Sequence, residues 1–213
     1  IKRFNDPALL PRIKTQMAGN LRRRNGPHAI LFPDLGKPWT GKYLDEVARE
    51  WKIDPVDAAI RILRQTERPS IISFNMSQAD VDNFMKQPWV STSSDGGPGH
   101  PRMTSSFTEK YAGYVKKRHV ISMVDFIHSS SGLPATNYRL DRRGYLKPGY
   151  YADIVVFNPA TYAPKADYVH WERLSTGVVN FLVNGKLAVD NGRMTDILSG
   201  RPLTHTPPKG VCR

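Results

Sequence analysis

Residues 89–102 read WVSTSSDGGPGHPR. The six residues 89–94 form a strand-like run that ends at Asp95, after which Gly96, Gly97 and Gly99 lead to His100 and Arg102. The sequence just upstream supports a strand. IISFNM (71–76) is a continuous apolar run, and SQADVDNFMKQP opens with Ser77 three residues before Asp80, a capping-box-like helix start. Strand, helix of about ten residues, strand is the βαβ rhythm of a parallel sheet. In such architectures the C-terminal ends of strands and the loops after them line the site, which is where Asp95 falls. SDGG is also an ordinary Asx-turn sequence, in which the carboxylate only bonds its own backbone. Both readings of Asp95 stand at this point. So do two readings of Arg102, as a bidentate clamp for a substrate carboxylate or as a partner of Asp95, and two of His100, as a functional group or a satisfied loop residue.

The first third reads as helices around one short strand. Asp6 offers a cap, Pro7 a first helical position and Gly19 a stop. HAILF (28–32) is a short apolar run before a loop dense in Pro and Gly. YLDEVAREW places Tyr43, Leu44, Val47, Ala48 and Trp51 on one helical face. In DPVDAAIRILRQT, Asp54 caps and Pro55 starts a helix whose stripe is Val56, Ala59, Ile60 and Leu63. EKYAGYVKKRHVISMVDFIHSSSG reads as two further helical pieces. After about residue 140 the pattern becomes β, with a strand at 154–157 and a hairpin in VVNFLVNGKLAVDNGR turned by Asn184-Gly185. RPLTHTPPKGVCR reads as an irregular tail.

With 213 residues and 39% hydrophobic content the chain can bury a core. It contains no apolar run of membrane-spanning length. Cys212 is the single cysteine, so no internal disulfide and no cysteine zinc cluster can form. The net charge of +12 raises a non-catalytic basic domain that binds anionic polymers as a rival reading. Its basic side chains concentrate in 1–30 and 101–150, and the tight run LRRRNG has no interleaved aromatics, which favours a solvated helix end over a stacking platform. The histidines at 28, 100, 119, 128, 170 and 205 make no H-x-H or H-E-x-x-H pattern, so this chain alone assembles no complete histidine metal site.

The stretch FNMSQADVDNFMKQPWVSTSSDGGPGHPRMTSSF resembles the last barrel turn of the D-aminoacylases (N-acyl-D-amino-acid deacylases) of the amidohydrolase superfamily. DRRGYLKPGYYADIVVFNP is similar to that superfamily's passage from barrel to β-sandwich, VNGKLAVDNGR to its closing hairpin, and TGKYLDEVAREWKIDPVDAAIRIL to the family's late-barrel insertion. The resemblance implies an α/β fold. Residues 1–138 are expected to be the C-terminal part of a (β/α)8 barrel including the insertion, and 139–213 a small β-sandwich segment and tail. It implies a zinc-dependent hydrolase of amide C–N bonds acting on a small acyl amino acid, with no nucleic-acid or membrane partner. Asp95 matches the aspartate that ends the eighth barrel strand, which faces the metal and its water and serves as general base. Arg102 matches the arginine used near the substrate carboxylate, and His100 belongs to the same motif as a substrate-side residue. The family's H-x-H, bridging ligand and mid-barrel histidines are expected upstream of Ile1, in a longer enzyme. The loop from Asp95 to His100 is short for a D-aminoacylase. A cyclic-amide or dipeptide hydrolase of the same superfamily is the alternative enzyme reading.

Overall fold

Asp54 and Pro55 do what their residue types favour. The Asp54 carboxylate accepts from Val56 N at 2.8 Å, and Pro55, with no N–H to lose, opens α3 (Pro55–Gln65). The preceding helix, α2 (Leu44–Trp51), starts with a carboxylate reaching back: Glu46 accepts from Tyr43 N at 2.7 Å. Leu44, Val47 and Ala48 from α2, Ala58 and Ile62 from α3, and Ile30, Phe32 and Trp39 close one core. Each large side chain buried there is worth about 1.5–3 kcal/mol. In α3 the deepest positions are Val56, Ala58, Ile60 and Ile62, while Ala59 and Leu63 are only half-buried. The stripe is therefore wider than the four residues expected.

The structure is a computed structural model that describes residues 2–66 and 69–203. Two compact units are present. The first comprises the described residues up to 78 with 97–100 and 167–171, and the second holds 79–96, 101–166 and the remainder from 172. In the first unit, α1 spans Leu10–Arg23 and runs through Gly19. Gly19 costs the helix about 1 kcal/mol relative to Ala but does not stop it. The chain turns at Asn25 and Gly26, both at positive φ, and the basic run forms an exposed helix end. β1 (Ile30–Leu31) pairs antiparallel with β2 (Ile72–Ser73).

Here the parallel expectation fails. Among the described residues every strand pair is antiparallel, and no strand forms over 89–94. Trp89, expected in a buried strand, is 66% exposed. A strand-like run becomes a strand only when a neighbouring edge accepts its ladder, and among the described residues none does.

In the second unit α4 spans Gln78–Met85, and α5 (Arg102–Glu109) passes without a break into a π-helical segment, Lys110–Lys117. α6 (Met123–Ser130) follows, so the stretch 109–132 holds the two helical pieces expected, and α7 (Gly132–Asn137) comes after it. Tyr111, Ile121, Phe126 and Tyr162 form the core, with Phe157 and Val178 against it. Four antiparallel strands run in the order β3 (Ile154–Phe157), β4 (Val178–Val183), β5 (Lys186–Asp190) and β6 (Arg193–Met194). They form a single sheet. The β4–β5 turn is Asn184-Gly185, both at positive φ as a tight hairpin requires. Arg143, 12% exposed, pairs with Asp153 and donates to Asn184 Oδ1 at 2.7 Å, while Asp153 accepts from Asn184 N at 2.8 Å. The DRRG and AD parts of the sequence motif thus tie down the hairpin. The tail 204–213, with His205 and Cys212, lies outside the described residues.

Gly177 sits at φ +88, and a Cβ there would collide with the backbone of Thr161 and Tyr162. Gly177→Ala is expected to destabilise the second unit by about 3 kcal/mol or more, read as a lowered urea midpoint. An unchanged midpoint would mean that 161–162 and 177 do not approach as described.

Candidate functional site

The site is built where a run without ladder partners meets one face of a helix. Arg102, Ser106 and Lys110 stand at i, i+4 and i+8, one above the other. Arg102 Nη2 lies 2.9 Å from Asp95 Oδ2. Ser106 Oγ lies 3.4 Å from the Ser94 carbonyl, a long contact. Lys110 Nζ donates to Thr92 Oγ1 at 2.8 Å. Eight helical residues rise about 12 Å and three extended residues span about 10 Å, so the two segments match in length as they run antiparallel. The far side of the run is held by α6: Thr92 N donates to Ser129 O at 2.8 Å, and Thr92 Oγ1 and Ser130 Oγ are 2.8 Å apart.

Beyond Ser94 the chain turns. Asp95 takes φ +42, a left-handed conformation that Asp tolerates better than most residues. Gly96 then passes close to the helix start, where a Cβ would lie 3.4 Å from Met103 Cα. The Asp95 side chain is 79% exposed. An exposed pair of this kind contributes about 0–1 kcal/mol. It is therefore a contact that a ligand can open at little cost.

Lys110 is the residue that the sequence reading missed. It is 6% exposed, and its ammonium donates to Thr92 Oγ1 and to Ser129 Oγ, each at 2.8 Å, with no carboxylate in ion-pair range among the described residues. Asp125, on the same helix as Ser129, is committed elsewhere. It accepts from Ser122 Oγ at 2.7 Å and Ser122 N at 3.0 Å, which hold its carboxyl below the usual range. Burial lowers the Lys110 pKa to about 8. The sequence signal was the polar spacing 102, 106, 110, hidden in a segment that otherwise reads as a solvated lysine-rich helix.

His100 belongs to the first unit, where its ring meets Tyr168 edge-on at 5.2 Å. Tyr168 in turn meets Phe74 at 5.2 Å, and Phe74 lies 6.1 Å from Tyr43. Of the three expected site residues, then, Asp95 and Arg102 touch each other, and His100 ends an aromatic row in the other unit. A cavity of about 410 Å³ in the first unit is lined by apolar residues of α1 and α3 with Arg24, and neither Asp95 nor Arg102 borders it.

Among the described residues no three His, Cys, Asp or Glu side chains gather as a metal site. The one expected ligand, Asp95, faces a guanidinium. These residues do not by themselves fit a zinc ion. Nor, among them, is any helix long and apolar enough to cross a membrane.

No family model matches the chain. Individual proteins do. N-acyl-D-aspartate deacylase of Alcaligenes xylosoxydans xylosoxydans is 35% identical over 177 residues, covering 81% of this chain and 35% of that protein. N-acyl-D-glutamate deacylase of the same organism is 32% identical over 178 residues, covering 75% and 36%. The chain is a homologue of the N-acyl-D-amino-acid deacylases. The N-acyl-D-glutamate deacylase of Bordetella bronchiseptica, crystallised with zinc and a phosphonate mimic of the tetrahedral intermediate, aligns with TM-score 0.66 at 29% identity, over 81% of this chain and 38% of that one. A D-aminoacylase structure with a binuclear metal centre aligns with TM-score 0.70 at 27% identity, over 86% and 40%. The chain spans about a third of the length of the curated relatives it matches.

A lysine whose folded pKa lies near 8 against about 10.4 unfolded binds fewer protons when folded between those values. Its burial penalty is full below pH 8 and fades as pH rises to about 10.4, so this term makes stability rise with pH. Relative to Lys110→Met, the wild type should gain about 3 kcal/mol between pH 7.5 and 10.5, read from paired urea titrations. Parallel curves for the two proteins would show that Lys110 is not desolvated.

Proposed function

We propose that the chain is part of a metal-dependent hydrolase of non-peptide amide bonds, an N-acyl-D-amino-acid deacylase, with Asp95 as general base and Arg102 as the receptor for the substrate carboxylate. The observation that carries this reading is the Asp95–Arg102 pair, made by the two ends of the SDG…HPR motif in a homologue of deacylases. The finer fold reading goes with it: 1–138 as the C-terminal part of a (β/α)8 barrel and 139–213 as a β-sandwich segment and tail, supported by the alignment to two deacylase structures. His100, from the same motif, is the proposed third residue on the substrate side. Zinc is the proposed cofactor, after the Bordetella enzyme. Asp95 would be one of its ligands, and the others would come from outside the described residues.

In this reading the ion pair is the resting state. An arriving substrate carboxylate takes the planar fork of Arg102, a bidentate match, and releases Asp95 at a cost of about 1 kcal/mol or less. The freed carboxylate accepts a proton from water as the water oxygen adds to the amide carbonyl carbon. It then returns that proton to the amine nitrogen as the C–N bond breaks, giving a carboxylic acid and a D-amino acid.

Asp95→Asn in the intact enzyme keeps size and turn geometry but removes the base. Turnover of an N-acetyl-D-amino acid is expected to fall by about 10²–10⁴, with the thermal midpoint little changed. Near-normal turnover would return Asp95 to the role of a plain turn residue. Arg102→Lys keeps charge and loses the fork, so KM for acyl amino acids should rise about ten-fold while neutral amides, poor substrates throughout, are unaffected. Equal losses on both substrate types would make Arg102 a purely structural partner of Asp95.

A further inference from the structure

We propose that Lys110 is a positioning residue for this site: it fixes the run 92–95 against the helix that carries Arg102, and so sets where the Asp95 carboxylate stands. The inference rests on the reading of Asp95 as the base. It goes beyond that reading because Lys110 touches neither Asp95 nor any reacting atom.

Among the described residues the run 89–94 has no strand ladder, so little else fixes its path. Its attachment is concentrated at Thr92. The Thr92 hydroxyl meets Lys110 Nζ and Ser130 Oγ, each at 2.8 Å, and its N–H donates to Ser129 O at 2.8 Å. Lys110 bridges these contacts, because its second bond goes to Ser129 Oγ at 2.8 Å and Ser129 Oγ in turn donates to the Asp125 carbonyl at 2.6 Å. One buried ammonium thereby joins three segments: the run, α6 and its own helix. At the other end of the run, the partner of the Asp95 side chain among the described residues is Arg102, in an exposed pair. When that pair opens for substrate, the placement of Asp95 depends on the anchor three residues away. A misplacement of about 1 Å can cost about 10²-fold in rate.

The anchor begins a π-helical segment, Lys110–Lys117, of a kind that recurs at functional sites. Neighbouring Tyr111 is buried in the aromatic core at 5.5 Å from Tyr162. That packing holds the helix backbone independently of the lysine. Loss of the ammonium should therefore free the run without unfolding the unit.

The test uses the intact enzyme and an N-acetyl-D-amino acid. Lys110→Met is expected to lower kcat by about 10²-fold with KM within about three-fold, since Arg102 keeps its helix. Lys110→Arg should recover most of that loss, and Thr92→Ser should be benign where Thr92→Val reproduces the defect. In the background of Asp95→Asn, Lys110→Met should cost little more, because a base that is absent cannot be misplaced. In parallel, amide hydrogen exchange at 90–95 should quicken at least about ten-fold in Lys110→Met, with the strands at 178–190 unchanged. Full additivity of the two variants, or a loss shared between kcat and KM with unaltered exchange at 90–95, overturns the proposal. If the wild type hydrolyses no acyl amino acid, the deacylase reading fails, and unaltered exchange would then remove the anchor as well.

Discussion

An extended run with no partner strand must find its hydrogen bonds elsewhere, and the second unit is arranged around that requirement. Backbone groups left without partners away from water cost about as much as a lost hydrogen bond each. For residues 92–95 the Ser129 carbonyl takes the Thr92 N–H, Arg102 and Lys110 meet the side chains of Asp95 and Thr92, and Ser106, whose hydroxyl donates to the Arg102 carbonyl at 2.7 Å, stays 3.4 Å from the Ser94 carbonyl. A helix face with polar residues every four positions can follow an extended strand because the two rises match over this length. At Gly96 the chain passes the helix start closely enough that a Cβ there would lie 3.4 Å from Met103 Cα.

The two ends of this arrangement differ in energetic kind. The Asp95–Arg102 pair lies in solvent, so the Coulomb gain is screened and the side-chain ordering cost nearly cancels it. Lys110 is out of solvent with hydroxyl acceptors alone, and desolvation outweighs what two hydroxyl dipoles return, which is why its proton is held less tightly than usual. A methionine of similar length would suit the pocket better on stability alone. A chain that keeps a costly buried cation at one end and a weak exposed pair at the other has a firm anchor and a releasable contact. That asymmetry suits the role proposed for Asp95, a base freed by substrate yet kept in place.

Sequence reading reached the parts whose signals are local. Asp54-Pro55 start α3, Leu44 to Trp51 form α2, and Asn184-Gly185 turn the hairpin, because a cap, a helical stripe and a positive-φ pair each act within a few residues. It failed where the outcome depends on a distant edge. Residues 89–94 have strand character, yet whether they form a ladder depends on a neighbour that composition cannot reveal, and Ile72–Ser73 found β1 in antiparallel sense instead. Gly19 marks a stop by residue type, yet the helix continues through it, since a single glycine costs less than tertiary packing supplies. Of the site, Asp95 and Arg102 were legible through their motif. Lys110 was not, because lysine in a basic helix ordinarily means solvent, and only the i, i+4, i+8 spacing with Arg102 and Ser106 distinguishes it.

The two motifs that carry the resemblance divide the work in a way that bears on function. In DRRGYLKPGYYAD, Arg143 and Asp153 are shielded and knot the Asn184 turn, so those residue types are explained by folding. In SDGGPGHPR, Asp95 is exposed and its ion pair adds little to stability, so folding does not explain why a carboxylate and a guanidinium meet at the end of an anchored run. An aspartate in a left-handed turn conformation could be replaced by asparagine or glycine without loss of the turn. What neither replacement supplies is a carboxylate that can take and return a proton, which is the chemistry of the role proposed for Asp95.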